Sequence, residues 1–186
     1  MNLNRSLFHA VSMTALSLSM AGLHSGCATS TSSDGPAAAG AAKPAGDASG
    51  FGPNLALHKV AVSSSDEKGS MDAKAAVDGD MSTRWGSNFF TDPNPGDAWI
   101  YVDLGEKTKI QTVVLKWEAA YAAAFNILVS DDAKEWKQVY EEKDGNVGRT
   151  ISKMAAPVEA RYVKMQGIKR ASPYGYSVWE FEVYGQ

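Results

Sequence analysis

The chain has 186 residues, of which 44% are hydrophobic and 21% charged. These proportions are ordinary for one globular domain with appendages. The formal net charge of -3 at pH 7 gives no sign of the basic surface that nucleic-acid binding requires, so no nucleic-acid partner is expected. No cysteine follows Cys27, which excludes a fold that depends on disulfides.

The N-terminal segment predicts export. Arg5 precedes an apolar and small-residue run, Leu7 to Leu23, that is too short and too serine-rich for a good membrane span. The run continues into Leu23-His24-Ser25-Gly26-Cys27, which resembles the bacterial lipoprotein signal, although His24 occupies the usual leucine position. We predict a lipoprotein-type signal peptide over residues 1–26 and a lipid on Cys27 that anchors the chain to the cell envelope, at the outer membrane or cell surface. Ordinary cleavage nearby, with Cys27 incidental, is the alternative.

Residues 27–53 are predicted to be a flexible spacer. They are mainly alanine, glycine, serine, threonine and proline, with hardly any large apolar residue. Such a composition cannot bury enough surface to offset the entropy of ordering. We expect a tether between a lipid anchor and a folded head.

The folded part is predicted over residues 54–186 as an all-β antiparallel sandwich or barrel, without internal repeats. Short β-like runs alternate with turn signals such as Asp144-Gly145-Asn146, a spacing typical of these architectures. Only Ser70 to Val77 could hold a helical turn or two. The predicted strands are Val60–Ser64, Trp99–Leu104, Ile110–Trp117, Phe125–Ser130, Trp136–Tyr140, Thr150–Ser152, Tyr162–Ile168 and Val178–Tyr184.

The last predicted strand alternates, and this predicts which of its side chains face the core. Trp179, Phe181 and Val183 should point inward, with Val178, Glu180, Glu182 and Tyr184 on the opposite face. The preceding Pro173-Tyr174-Gly175-Tyr176 is turn chemistry carrying two rings, which predicts an exposed aromatic loop. The five tryptophans are expected to be core rings: Trp85, Trp99, Trp117, Trp136 and Trp179.

Several motifs in order resemble a discoidin domain, also called a coagulation-factor C-type domain, whose bacterial sugar-binding members are the family 32 carbohydrate-binding modules. The resemblance covers residues 54–185 and implies a galactose-binding-like jelly-roll β-sandwich. Five strands would face three, ligand would bind in loops at one end, and a monomer is expected. The motifs are Asn54-Leu55-Ala56-Leu57, Ala76-Val77-Asp78-Gly79-Asp80, Thr83-Arg84-Trp85, Trp99-Ile100-Tyr101-Val102-Asp103-Leu104-Gly105, Val129-Ser130-Asp131-Asp132 and the run from Tyr174 to Gly185.

The turn Asp78-Gly79-Asp80, followed by Thr83, is a candidate cation site. Calcium takes six to eight oxygens, and carboxylates mixed with carbonyls in a tight turn can supply them. From these residues alone, a capped turn near a surface glutamate is the favoured interpretation. The resemblance implies a structural Ca²⁺ held by the side chains of Asp78, Asp80, Thr83 and Glu180 and by the carbonyls of Ala75 and Trp179.

A candidate ligand site follows from the same resemblance, which is closest to modules of chitosanases and β-glucan-degrading enzymes. The shared segments are Trp117-Glu118-Ala119-Ala120-Tyr121 and Arg170 to Tyr176. Aromatic rings stack on the C–H faces of a pyranose, and planar polar groups bind its hydroxyls or amines. The sugar contacts that the resemblance implies are Glu67, Arg84, Phe89, Glu118 and Tyr174.

Each of these residues also has a structural interpretation. Arg84 could pair with an acid of the fold, Glu67 could be a solvated surface acid, and Glu118 could accept a structural hydrogen bond. Tyr174 has little core to enter from its loop, which favours a ligand contact. Tyr176 is expected to support the loop.

Three function classes remain open. The favoured one is non-catalytic binding of a polysaccharide, a chitosan-like amino-sugar polymer or a β-glucan, by a surface-tethered module. The second is a discoidin-type adhesin for protein or lipid, with Phe89-Phe90 as hydrophobic contacts. The third is a glycoside hydrolase that uses Glu67 and Glu118; no convincing nucleophile–base pair accompanies them, so no enzyme activity and no catalytic residue are expected.

Overall fold

The computed structural model describes residues 50–69, 71–91, 94 and 96–185. The predicted signal peptide, Cys27 and the spacer up to residue 49 lie outside the described residues. Among the described residues, no helix has the length and hydrophobicity needed to cross a bilayer.

The described chain is all-β, as predicted. Its strands are antiparallel, and one four-residue 3-10 helix, Ala73–Ala76, lies within the stretch predicted to hold a helical turn. The strands are β1 Val60–Ser63, β2 Trp85–Gly86, β3 Trp99–Trp117, β4 Ala122–Ser130, β5 Lys137–Glu142, β6 Gly148–Arg170 and β7 Ser177–Tyr184.

Two long strands, β3 and β6, contribute to both layers of a sandwich. The first part of β3 pairs with β1 and with the second part of β6, which continues to β4 and β5. The second part of β3 pairs with β7 and with the first part of β6, and β7 carries the two-residue β2. Register shifts between Asp103 and Thr108 and between Ile110 and Thr112 mark the bend. Five strands therefore face three, extended by β2.

Two continuous strands of the structure were each predicted as two separate strands. β3 contains the predicted strands Trp99–Leu104 and Ile110–Trp117, and β6 contains Thr150–Ser152 and Tyr162–Ile168. Polar, turn-like residues at the bend mimic a strand end in the sequence. The backbone nevertheless keeps pairing through a bulge, because a bulge lets a strand turn from one layer into the other.

The core lies between the two layers. Ile100 and Val102 enter it from the larger layer and Leu115 and Phe181 from the smaller one, and all four are fully buried. Trp85 and Trp117 are also core rings, as predicted, with at most 2% of their surface exposed. Burial of this apolar surface supplies the main stabilisation of the sandwich.

The prediction of a core position is wrong for three of the five tryptophans, because Trp99, Trp136 and Trp179 are only half-buried. In β3 the alternation places Ile100 inward and Trp99 outward, where its ring stacks on Tyr101 with centroids 5.6 Å apart. The Trp136 ring lies 4.1 Å from the Lys164 ammonium. Half-buried tryptophans are common, since their size makes full burial rare.

A bulge in β7 explains why Trp179 is not a core ring. Leu115 pairs with Phe181 and Lys116 with Glu180, but Trp117 pairs with Val178, so Trp179 is the extra residue. Val178 takes the inward position, and Phe181 and Val183 face the core as predicted. The predicted inward position of Trp179 and outward position of Val178 are therefore wrong, because the bulge shifts the inward face by one residue.

Candidate functional site

A cleft of about 320 Å³ opens at the end of the sandwich where β3 ends and β7 begins. All five predicted ligand contacts line it, although they are far apart in the sequence. The bend in β3, the β2–β7 pairing and the loop before β7 bring them together. The lining residues are Glu67, Arg84, Ser87, Phe89, Glu118, Ala119, Ala120, Ser172, Tyr174, Gly175, Tyr176 and Ser177.

Glu67 and Arg84 form one charged side of the cleft. Their closest atoms, Glu67 Oε2 and Arg84 Nη1, are 3.9 Å apart, and both side chains are less than a third exposed. Arg84 Nη1 also donates a 2.6 Å hydrogen bond to the Ser177 hydroxyl, and its guanidinium lies 6.0 Å from the Trp179 ring centroid. The predicted pairing of Arg84 with an acid is therefore present, and the acid is itself in the cleft.

Glu67 is not the freely solvated acid of the alternative interpretation, because only 30% of its side chain is exposed, and its backbone is held in place. Its N–H donates to the Gly86 carbonyl at 2.7 Å, and it forms a bridge with Met71. Gly86 leaves room for this pair, because a Cβ would lie 2.9 Å from Glu67 Oε2 and 3.0 Å from Arg84 Nη1. A larger residue would displace the ends of these two side chains.

Glu118 lies across the cleft, directly after β3. Its N–H donates to the Ser177 carbonyl at 3.0 Å, and its Oε2 accepts the N–H of Ala120 at 2.9 Å. One carboxylate oxygen is thus a structural acceptor, as the alternative interpretation expected. The carboxylate is nevertheless half-buried in the cleft wall, and its lone pairs exceed the one hydrogen bond it accepts.

Two rings form the apolar side of the cleft. Tyr174 is 60% exposed, and its ring meets that of Phe89 edge-on with centroids 5.4 Å apart. Arg170 Nη1 donates to the carbonyls of Pro173 and Tyr174 at 2.6 and 3.0 Å. The loop therefore exposes the Tyr174 ring as predicted, but its second ring, Tyr176, is buried. The loop backbone is anchored by Arg170.

Two serines that sequence reasoning missed hold the loop against β2. Ser87, 2% exposed, accepts the Tyr176 N–H through its hydroxyl at 2.8 Å, and Ser177 accepts from Arg84. Tyr176 is buried and donates its phenol proton to the Gly96 carbonyl at 2.7 Å, which agrees with its predicted supporting role. Nothing in the local sequence distinguishes these serines from surface serines, since only the β2–β7 pairing gives them partners.

The predicted calcium turn closes on itself through hydrogen bonds. Asp78 accepts from the Asp80 N–H at 2.9 Å and from the Thr83 hydroxyl at 2.7 Å. Asp80 accepts from the N–H and hydroxyl of Ser82, which hold the pKa of its carboxyl below the usual range. Gly79 permits the turn because its φ is +79°, a region that favours glycine. By itself the turn matches the simpler, capped-turn interpretation.

Glu180 is the member of the set that a capped turn does not explain. It is 2% exposed, so it is not a surface glutamate, and its Oε1 has no hydrogen-bond partner. Burial, and secondarily the nearby Asp78 charge, raises the pKa of Glu180 to about 7. A buried carboxylate without a full set of partners is costly.

The two remaining predicted ligands lie on separate elements. Trp179 is the bulge residue beside Glu180 and lies outside the regular ladder, and Ala75 is a buried residue of the 3-10 helix. Within the described ranges, no three side chains of aspartate, glutamate, histidine or cysteine form a metal-binding group. A cation here would therefore depend on hydroxyl and carbonyl oxygens as well as carboxylates, which are ligands that calcium accepts.

Comparison with known families decides the relationship. The sequence model of the F5/8 type C domain matches residues 59–181. This chain belongs to the F5/8 type C domain family. The match includes the turn from Asp78 to Thr83, β3, β4 and β6, so it covers most of the described fold.

Solved structures resemble this F5/8 type C domain closely. Chitosan-binding module 1 of the chitosanase/glucanase from Paenibacillus sp. IK-5 is 43% identical, with a TM-score of 0.66 over 72% of this chain and 99% of that module. Module 2 of the same enzyme, solved with chitotriose, is 40% identical, with a TM-score of 0.66 over 71% of this chain and all of that module. The family 32 module of Clostridium perfringens NanJ, 20% identical at a TM-score of 0.58, shares the fold.

A curated relative is the polysaccharide lyase 8 family protein HylA of Enterococcus faecalis. It is 34% identical over 116 residues, which is 59% of this chain but 8% of HylA. The F5/8 type C domain thus matches a small part of that larger protein.

The cleft of this F5/8 type C domain can bind a ligand that is apolar on one face and polar on its edge. Tyr174 and Phe89 present aromatic surface, Glu67 and Glu118 present acceptors, and Arg84 presents donors. A small number of convergent polar groups beside aromatic rings is typical of small-ligand sites.

Proposed function

We propose that this F5/8 type C domain binds polysaccharide without cleaving it, and that the ligand is a chain of amino sugars such as chitosan. One observation carries the proposal: Glu67, Arg84, Phe89, Glu118 and Tyr174 line a single cleft. The two modules above, at 43% and 40% identity, are described as chitosan-binding. A β-glucan is the second ligand to test.

The arrangement favours an amino sugar over a neutral one. Two carboxylates, Glu67 and Glu118, face a cleft that contains one guanidinium, Arg84, and Arg84 already lies close to Glu67. A protonated amine would form charge-assisted hydrogen bonds with these carboxylates, while the Tyr174 and Phe89 rings cover the C–H face of the pyranose.

A protein- or lipid-binding adhesin is the second candidate function. Phe90 is 78% exposed beside the cleft, and exposed apolar side chains of this size mark interaction surfaces. The acids at the cleft edge oppose contact with an anionic membrane. We rank it below polysaccharide binding for that reason.

We propose a structural calcium ion at the Asp78 turn. The unpartnered Glu180 Oε1, the Asp78 and Asp80 carboxylates, the Thr83 hydroxyl and the carbonyls of Ala75 and Trp179 would hold it. The ion would supply positive charge to these oxygens and so tie the turn to β7. It would take no part in ligand chemistry.

We also propose that the domain is exported, tethered through Cys27 and monomeric. Export and tethering rest on the N-terminal sequence, which lies outside the described residues, and the monomeric state rests on the family resemblance. Single sugar contacts bind weakly, so many tethered copies on one surface would provide useful avidity.

The proposal is tested by isothermal titration with glucosamine hexamer and with a neutral β-glucan hexamer. We expect Tyr174→Ala to weaken glucosamine binding by about two- to tenfold, because it removes a stacking ring, with little change in melting temperature, since the ring is exposed. Tyr162→Ala, a half-buried ring on the outer face of the larger layer, is the control. High salt should weaken binding of the charged oligomer and leave a neutral one unaffected.

Two results would contradict this function. If the wild-type protein bound neither oligomer in the presence of calcium, the cleft would not be a glycan site. If shortened oligomers accumulated during the titration, the domain would not be passive.

A further inference from the structure

A second depression adjoins the cleft and shares Glu67 with it. It measures about 270 Å³ and is lined by Glu67, Lys68, Asn88, Phe90 and Thr91. Among the described residues, Glu67 is the only one that lines both the cleft and the second depression. The two depressions are therefore neighbours along one surface, with the Glu67 carboxylate at their junction.

Aromatic surface is continuous from the cleft to this second depression. The Phe89 ring lies 5.4 Å from Tyr174 on one side and 4.0 Å from Phe90 on the other, centroid to centroid. Phe90 is 78% exposed, more than any other large hydrophobic side chain of the described residues. An apolar ring held this far into water has a cost that a ligand covering it would remove.

The Phe90 ring is presented by an ordered turn. Asn88 Oδ1 accepts the N–H groups of Phe90 and Thr91, each at 3.2 Å, and the Asn88 N–H donates to the Ser65 hydroxyl at 3.1 Å. Because the asparagine oxygen fixes the turn, its amide nitrogen is the part suited to donate to a ligand. The Lys68 ammonium and the Thr91 hydroxyl add two further donors.

We propose that Phe90, with Lys68, Asn88 and Thr91, forms a second sugar-binding position for the next unit of the same chain. This inference rests on the proposed function of the cleft and extends it: the domain binds along a polysaccharide rather than at a single unit. Glu67, at the junction, would contact both units. A membrane is the less suitable occupant, because inserting Phe90 would bring the Glu67 carboxylate against the bilayer and desolvate it.

The test compares glucosamine and its oligomers from the dimer to the hexamer by isothermal titration. Wild-type affinity should rise from the single unit to the dimer. Phe90→Ala should weaken dimer and hexamer binding about two- to tenfold, the range expected for one aromatic stacking contact, and leave binding of the single unit unchanged. Phe90→Tyr should retain wild-type length dependence, and Val60→Ala, which shortens an exposed apolar side chain on β1, should change nothing. Tyr174→Ala should weaken binding at every length.

The outcomes separate this inference from the function on which it rests. If Phe90→Ala bound the hexamer as tightly as wild type, or if wild-type affinity did not depend on length, the second position would be refuted while the cleft remained a glycan site. If the wild type bound no oligomer, both would be refuted. If Phe90→Ala lost co-sedimentation with phosphatidylcholine vesicles but kept hexamer affinity, Phe90 would be a lipid contact. Its exposure makes unfolding by this substitution unexpected, and melting curves check this.

Discussion

The buried carboxyl of Glu180 makes stability depend on pH in a way that calcium should cancel. In the calcium-free protein, burial raises its pKa from 4.5 to about 7, so the folded state holds a proton that the unfolded state has lost. The stability that the protonated Glu180 carboxyl contributes is therefore fully present below about pH 4.5 and is lost as pH rises through about 7. The shift corresponds to roughly 3 kcal/mol of unfolding free energy.

Urea unfolding between pH 5 and pH 8 measures this effect, with the protein in EGTA or in calcium. In EGTA the free energy of unfolding should fall by up to about 3 kcal/mol over this range. Calcium would stabilise the carboxylate and remove most of the fall. Glu180→Gln should abolish both the pH dependence and the calcium response, because the amide neither ionises nor supplies a charge.

Glu106→Gln, at an exposed position, is the matched control and should leave both responses intact. Carboxyls with lowered pKa values, such as Asp80 and Asp103, titrate below this range and do not contribute to it. Equal stability of the EGTA protein at pH 5 and pH 8 would refute the reasoning about Glu180. A preserved calcium response in Glu180→Gln would show that the cation does not use this side chain.

Two further substitutions test the supports of the fold and of the cleft. Gly175→Ala should lower the free energy of unfolding by about 1–3 kcal/mol and weaken ligand binding, because the new methyl group would lie 2.7 Å from the Ser87 carbonyl and displace the Tyr174 loop. Gly96→Ala, whose methyl group meets open space, is the control in both the melting and the titration experiments. Equal behaviour of the two variants would contradict this reasoning. Asp103→Asn should cost about 1 kcal/mol at pH 7, since Asp103 accepts two 2.7 Å hydrogen bonds from Arg161. Those bonds hold the pKa of Asp103 below its usual range, so the wild-type advantage should be lost as pH falls through that lowered pKa; a difference that persisted in strong acid would argue against the ion pair.

Local patterns were sufficient for the elements but not for their faces. Alternation and turn residues predicted strands at nearly every position where the structure has one. They failed at Trp179, because a bulge opposite Trp117 shifts the inward positions and leaves no mark in the local sequence. The patterns also failed at Trp99 and Trp136. Their hydrophobicity predicted burial in the core, but both rings lie on the outer face of the larger layer.

The candidate ligand residues came from a family resemblance and not from local pattern. Glu67 and Glu118 are ordinary acids in the sequence, and each had a sound structural interpretation. Their shared cleft arises because β2 pairs with β7 and β3 ends beside them. Ser87 and Ser177 were missed for the same reason, as their hydrogen-bond partners are distant in the sequence.

The sequence alone determined the fold class, since period-two hydrophobicity and turn chemistry are local and act wherever the chain goes. It also determined that the Tyr174 loop would be exposed, because a ring between proline and glycine has no strand to carry it inward. Only the tertiary structure decided that two acids, a guanidinium and two rings would share one cleft, and that Glu180 would be buried without a full set of partners. Those properties depend on strand register, and register is set by pairing between segments that are far apart in the chain.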